Sequence, residues 1–244
     1  MKNKPKIKKI KIYSNHQKID GTLFLPEKIS KKIGGVIFFH GMTSGEKGYL
    51  AIAEKLSEAG IAALTVNFRG HGTSAGNFAS LTIGDAFSDG IKAYDFFVRQ
   101  KIIDKQKIGI CGSSLGSAIA AMVSSQKNVC SLVLRVPATY TDEMMQLTYE
   151  EIMADEKNIF QKISNPGKTQ SIQSLKEFTG SLLIITSEHD YVIPAIIPKS
   201  YITGAKRAIK KELYKIKGAT HNLSRNAWRK EFINKTISWF KKTL

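Results

Sequence analysis

The stretch Lys107-Ile108-Gly109-Ile110-Cys111-Gly112-Ser113-Ser114-Leu115-Gly116 decides how this chain folds. Its first half, Lys107–Cys111, is a short apolar run of the kind that forms a strand buried on both faces of a parallel sheet. Its second half fits Gly-x-Ser-x-Gly, and the small-residue segment Ser117–Ser125 that follows reads as a helix. A serine on so sharp a strand-to-helix turn projects above the sheet, and glycines on either side let the two backbones pass closely. Ala118, Ala120 and Ala121 keep the helix slim. The start of that helix offers backbone N–H groups and a positive dipole end where negative charge would develop. The same pattern also occurs as a plain Gly/Ser-rich turn, so its surroundings must decide.

Upstream, Lys6–Tyr13 alternates Lys with Ile, and after the turn Ser14-Asn15-His16 the segment Lys18–Leu25 reads as a second strand ending at Pro26. The two read as an antiparallel hairpin at a sheet edge, with lysines on its outer face. Then come strand Gly35–Phe39, helix Glu46–Ala59 stopped by Gly60, and strand Ile61–Asn67. Helix Thr82–Gln100 follows, with Phe87, Ile91, Tyr94 and Val98 expected inward. Downstream, strand Ser131–Val136 leads into Pro137–Phe178, which has a partly helical pattern and no clear strand. Alternation resumes with strand Ser181–Ser187, a helix around Ile196–Thr203, strand Lys211–Ile216 and a terminal helix from Arg225 to Lys242. Alternating β and α elements predict an α/β fold, a mostly parallel sheet with helices on both faces. One domain over residues 1–244 is expected, with 137–178 as a cap insertion. The insertion leaves a strand end, where open α/β sheets bind ligands.

Four further motifs follow successive strands: His40-Gly41-Met42; Arg69-Gly70-His71-Gly72 with Ser74 and Gly76; Ser187 to Pro194, which holds Asp190; and Gly218-Ala219-Thr220-His221. Together with the Ser114 turn they resemble the α/β-hydrolase superfamily. More narrowly, the chain is similar to small bacterial carboxylesterases of the feruloyl/cinnamoyl-esterase and monoglyceride-lipase-like kind. The resemblance runs from Ile19 to Phe240 and is weakest in 137–178. It implies an α/β-hydrolase fold with an antiparallel N-terminal hairpin. It also implies Ser114 as nucleophile, Asp190 as acid and His221 as base, in the chain order expected of this fold. Glu188, the rival carboxylate, sits too close to the strand end. The backbone amides of Met42 and Leu115 become the implied oxyanion hole, and the imidazoles of His40 and His71 take structural roles. The chain departs from the family pattern at Ser187, where Gly is usual, and at Ile193, where Val is usual.

The implied reaction runs through an acyl-enzyme with no metal or organic cofactor, and the five histidines have no zinc-site spacing. The expected substrate is a small-molecule ester of a small to medium acyl or aryl group. Tyr140, Met144, Met145 and Tyr149 are candidate pocket walls, unless they bury the cap against the body. Arg135 is either a carboxylate-attracting group or a member of a structural ion pair. An amidase or peptidase is the alternative within enzymes; a non-catalytic module holding an acidic partner is the alternative outside them.

The net charge of +17 comes from 37 Lys and Arg against 20 Asp and Glu. Most of the excess is Lys, spread along the chain and biased to its ends. Without an aromatic-interleaved basic stripe, it reads as a solvated surface with no specific nucleic-acid partner. No stretch approaches the roughly 18–20 apolar residues of a membrane span. The N-terminus has no apolar leader core, which sets the cytoplasm as the expected location. Cys111 and Cys130 fall toward opposite ends of neighbouring strands, too far apart for an expected disulfide.

Overall fold

A computed structural model describes residues 4–244, leaving Met1–Asn3 at the head of the basic N-terminal stretch outside the described residues. Eight strands form one sheet: β1 (Lys6–Ser14), β2 (Gln17–Leu25), β3 (Ile33–Phe39), β4 (Ala62–Val66), β5 (Ile103–Ser113), β6 (Ser131–Arg135), β7 (Ser181–His189) and β8 (Lys210–Thr220). Their spatial order is β1-β2-β4-β3-β5-β6-β7-β8. The β1–β2 and β2–β4 pairs are antiparallel, and every pair from β4–β3 to β7–β8 is parallel. The longer helices are α1 (Leu50–Glu58), α2 (Ile83–Val98), α3 (Leu115–Gln126), and, after β7, α7 (Ile196–Gly204) and α8 (Asn226–Thr243). Between β6 and β7 lie the short helices α4 (Tyr149–Ala154), α5 (Glu156–Ile159) and α6 (Gln170–Gln173).

Side chains of a strand alternate between its two faces, and both faces of this sheet are covered. Ile37 and Phe39 of β3, Leu132 and Leu134 of β6, and Leu182 and Ile184 of β7 join one apolar cluster with α2, α3 and α7. Val36 and Phe38, Val133, and Leu183 and Ile185 from the same strands join a second cluster with α1 and α8. Burial on two sides makes these strands read as unbroken apolar runs. Buried aromatics such as Phe97, Phe240 and Trp239 each contribute about 1.5–3 kcal/mol to the core.

Two patterns differ from expectation. In β1 the Lys8-Lys9 doublet breaks the phase, so Ile10 and Ile12 turn inward while Ile7 falls on the other face and is 53% exposed. In α2 the buried line is Ile83, Ala86, Gly90, Ala93, Tyr94 and Phe97. Of the residues expected inward, only Tyr94 is buried; Phe87, Ile91 and Val98 flank the core half-buried. A β-carbon on Gly90 would stand 2.7 Å from Ile119 of α3 and 3.4 Å from Phe39 of β3, so this small position lets α2 seat against both α3 and the sheet. Cys111 and Cys130 are both free thiols; Cys111 pairs with Val133, whereas the Cys130 amide donates to Ile108 O.

The 137–178 segment packs as a continuation of the first cluster, through Tyr140, Met145, Tyr149, Ile152, Phe160 and Ile172. Its middle is fastened to the loop before α2: Tyr149 N–H donates to Leu81 O at 2.7 Å, and Thr148 bridges Thr82. Its roots are fastened by buried hydroxyls. Tyr201 of α7 donates its one hydroxyl proton to Ala138 O at 2.6 Å and accepts from Ser171 Oγ at 2.8 Å, and Thr139 bonds both Ser171 and Thr169. A reciprocal cap between Thr148 and Glu151 starts α4. No helix among the described residues is long and apolar enough to cross a membrane.

Candidate active site

Ser114 sits between β5 and α3 with φ 50° and ψ −116°, a conformation that non-glycine residues rarely adopt. Two glycines make the turn sterically feasible. A β-carbon on Gly112 would stand 2.1 Å from Gly116 O, and one on Gly116 would stand 2.1 Å from Phe39 O. Strand, helix and neighbouring β3 therefore touch backbone to backbone around Ser114. Ser114 N–H donates to Arg135 O at 2.9 Å, and Ser114 O accepts from Ser117 N–H at 2.9 Å and Ala138 N–H at 3.3 Å. The strain is thus held by bonds on both sides of the residue.

Asp190 and His221 come together from the ends of β7 and β8. His221 Nδ1 lies 3.0 Å from both Asp190 carboxylate oxygens. Asp190 Oδ1 also accepts from Val192 N–H and Ile193 N–H, each at 3.0 Å. Burial works against the Asp190 charge, but the His221 bond and charge together with these two amides outweigh it and hold its pKa below the usual carboxylate value. The side chains are 15% and 10% exposed for His221 and Asp190, so the pair is sheltered but reachable. Its Nδ1 committed, the ring offers Nε2, which bonds no other group among the described residues. Glu188 has a different partner, Gly218 N–H at 2.7 Å, and braces the turn leading to His221.

The loop after β3 lies against the Ser114 turn, since a β-carbon on Gly41 would stand 3.5 Å from Ser114 Cβ. Met42 belongs to this loop and Leu115 opens α3, so both candidate amide donors flank the serine. Two buried histidines brace the loop. His40 Nε2 accepts from Phe68 N–H at 3.0 Å, so its Nδ1 carries the proton and donates to Gly41 O at 2.8 Å. His71 bonds Arg69 O at 2.9 Å and also Met42 O. Arg69 in turn anchors to α2 through Asp89 at 2.8 Å and Asp85 at 3.0 Å.

Tyr140, Met145 and Tyr149 are buried, Met144 is half-buried, and all four pack in the cluster that contains Met42 and Leu115. Tyr149 is wedged between Phe78 at 5.2 Å and His71 at 5.8 Å between centroids, and Tyr140 meets Phe160 at 5.7 Å. Arg135 is half-buried and bonds protein groups, Ser113 Oγ and His221 O. Among the described residues no group of three or more His, Cys, Asp or Glu could hold a metal ion.

The architecture matches solved structures along nearly its whole length. Est1E of Butyrivibrio proteoclasticus, with ferulic acid bound, shares 17% identity at a TM-score of 0.74, covering 96% of this chain and 98% of that one. The esterase Pf2001 of Pyrococcus furiosus shares 20% identity at 0.73, covering 98% and 93%. The dienelactone hydrolase of Anabaena variabilis shares 17% at 0.68, covering 99% of each chain. At such identities the likeness establishes the fold, which is the α/β-hydrolase fold. The family model for serine aminopeptidase S33 matches residues 30–174, the stretch that carries the β3 loop, the Ser114 turn and most of the 137–178 segment. That match spans more than half of the 244 residues, and the chain belongs to the serine aminopeptidase S33 family of hydrolases.

Proposed function

We propose that this hydrolase cleaves carboxylic esters of small to medium acyl or aryl groups through an acyl-enzyme on Ser114. The observation that carries the proposal is a strained serine at a strand–helix junction, on the same sheet end as a carboxylate-held imidazole. His221 takes the Ser114 proton as Oγ attacks the carbonyl carbon. The carbonyl electron pair moves onto oxygen, where the Met42 and Leu115 amides hold it. Collapse expels the alcohol, which leaves with the proton from His221. Water then gives a proton to His221 and attacks the acyl group; the acid departs and Ser114 regains its hydrogen. Asp190 keeps the imidazole in the working tautomer. The apolar cluster joining Met42 and Leu115 to the cap supports an apolar acyl or aryl group, with Tyr140, Met144, Met145 and Tyr149 as its walls. Residues 137–178 act in this proposal as a cap on a single domain.

The family's aminopeptidase description favours a second substrate class, amides or peptides with a free amino end. His221 would there protonate an amine leaving group. The test is labelling by a fluorophosphonate probe, wild type beside Ser114→Ala, followed by p-nitrophenyl esters of increasing chain length and aminoacyl p-nitroanilides. Labelling of the wild type alone, with ester turnover peaking at one chain length, is expected. Nitroanilide turnover exceeding ester turnover would assign the amide class. A folded wild type that resists the probe would sink the serine mechanism.

A further inference from the structure

The proposed nucleophile and base stand at the ends of β5 and β8, with β6 and β7 between them. Arg135, the last residue of β6, reaches both. Its backbone carbonyl accepts from Ser114 N–H at 2.9 Å and shares the Ser117 hydroxyl proton, at 3.1 Å, with the closer Gly112 O at 2.9 Å. Its side chain donates from Nε to Ser113 Oγ at 2.9 Å and from Nη1 to His221 O at 2.7 Å. The guanidinium carbon lies 5.7 Å from the Phe232 ring centroid on α8, which walls one side of it. The next residue, Val136, has φ 40°, a strained value for a β-branched residue, and its N–H is pinned to Ile185 O of β7 at 2.7 Å. The chain therefore turns sharply after Arg135 and leaves that residue fixed at the strand end.

We propose that Arg135 is a positioning residue, one that locks the His221 loop to the Ser114 turn so that Nε2 faces Oγ. This rests on the triad proposed above. Asp190 fixes the ring of His221 but not its backbone, and the Arg135 bond to the His221 carbonyl supplies the missing restraint. Two nitrogens of the guanidinium, Nε and Nη1, are committed to protein acceptors on the Ser114 turn and the His221 loop, which suits a role in the geometry of the site. Lys cannot replace it, because one ammonium on a flexible stem does not span two acceptors in a fixed fork. A displacement of about 1 Å between reacting groups costs about a hundredfold in rate.

The test compares wild type, Arg135→Lys and Arg135→Met for fluorophosphonate labelling rate and for kcat and KM on a p-nitrophenyl ester, with thermal unfolding run alongside. Arg135→Lys keeps charge and bulk, which preserves a folded sample if Arg135→Met does not accumulate. The expected result is a labelling rate and kcat lowered about 10- to 100-fold in Arg135→Lys, with KM close to wild type. A KM that rises while kcat and labelling hold would assign Arg135 to substrate binding and overturn the proposal. Wild-type rates in Arg135→Lys would overturn it as well. A wild type that does not label would instead remove the serine mechanism itself, a separable outcome.

Discussion

His40 has no exposed surface, and a second proton on its ring would have to replace the bond that Nε2 accepts from Phe68 N–H. The charge would also sit beside His71, whose ring centroid is 4.6 Å away. Burial first, and His71 second, lower the imidazole from 6.5 to about 3. An unfolded chain binds that proton near 6.5, so between pH 6.5 and 3 the unfolded state holds more protons than the native one. Stability is complete above that window and is lost as pH falls through it. The loss is about 1.4 kcal/mol per pH unit, or about 2 kcal/mol by pH 5. Other groups titrate in the same range, and His40→Gln isolates this one. Gln keeps an acceptor for Phe68 N–H and carries no titrating proton. Urea unfolding followed by circular dichroism, at about pH 7, 6 and 5, should show wild type losing about 2 kcal/mol more than the variant. The variant's stability at pH 7 sets its own baseline, so packing losses do not enter the comparison. Parallel pH curves for the two proteins would refute the reasoning.

Gly116→Ala places a β-carbon 2.1 Å from Phe39 O and should cost at least about 2 kcal/mol in urea unfolding, whereas Gly48→Ala, with nothing within 4 Å, should stay within about 0.5 kcal/mol. Thr236 is fully buried in α8 and its hydroxyl has no hydrogen-bond partner among the described residues. Thr236→Val should therefore raise stability by about 1 kcal/mol, read as a higher urea midpoint at unchanged slope. Asp190→Asn should leave the fold intact and lower ester kcat by roughly a thousand- to ten-thousandfold, because an amide does not hold the working tautomer of His221; steady-state kinetics check it.

Strands buried on both faces were legible because runs such as Val36–Phe39 and Leu182–Ile185 are short and rich in β-branched or aromatic residues, which favours a strand over a buried helix segment. The candidate site residues could be named because each follows such a run. Subtler features depended on neighbours. β5 starts at Ile103, before the polar Asp104-Lys105-Gln106, because Ile33 pairs with it across a register shift. The face that α2 buries carries Gly90, which packs closely on Ile119 of α3 as well as on Phe39 of β3, a neighbour that periodicity alone does not weigh. Helices α4, α5 and α6 between β6 and β7 have only 4–6 residues each, too short for a 3.6-residue period to register. Thr148 and Glu151 were nonetheless a readable start signal for α4. The partners of Arg135 were out of reach, since the His221 carbonyl lies 86 residues along the chain. The available sign was a lone guanidinium closing the apolar run Leu132-Val133-Leu134.

The two outermost strands have a consequence for the protein in the test tube. β1 ends the sheet on one side with exposed Lys6, Lys8, Lys9 and Lys11, and β8 ends it on the other with exposed Lys210, Lys211, Lys215 and Lys217. Molecules carrying +17 repel one another as like-charged colloids, most strongly at the strand borders where backbone pairing between copies would begin. That repulsion reaches about 10 Å in 0.1 M salt and only about 3 Å in 1 M salt. Dilute buffer should therefore keep concentrated samples monodisperse, while high-salt precipitants should bring the lysine-bearing borders into contact and favour growth along the sheet direction.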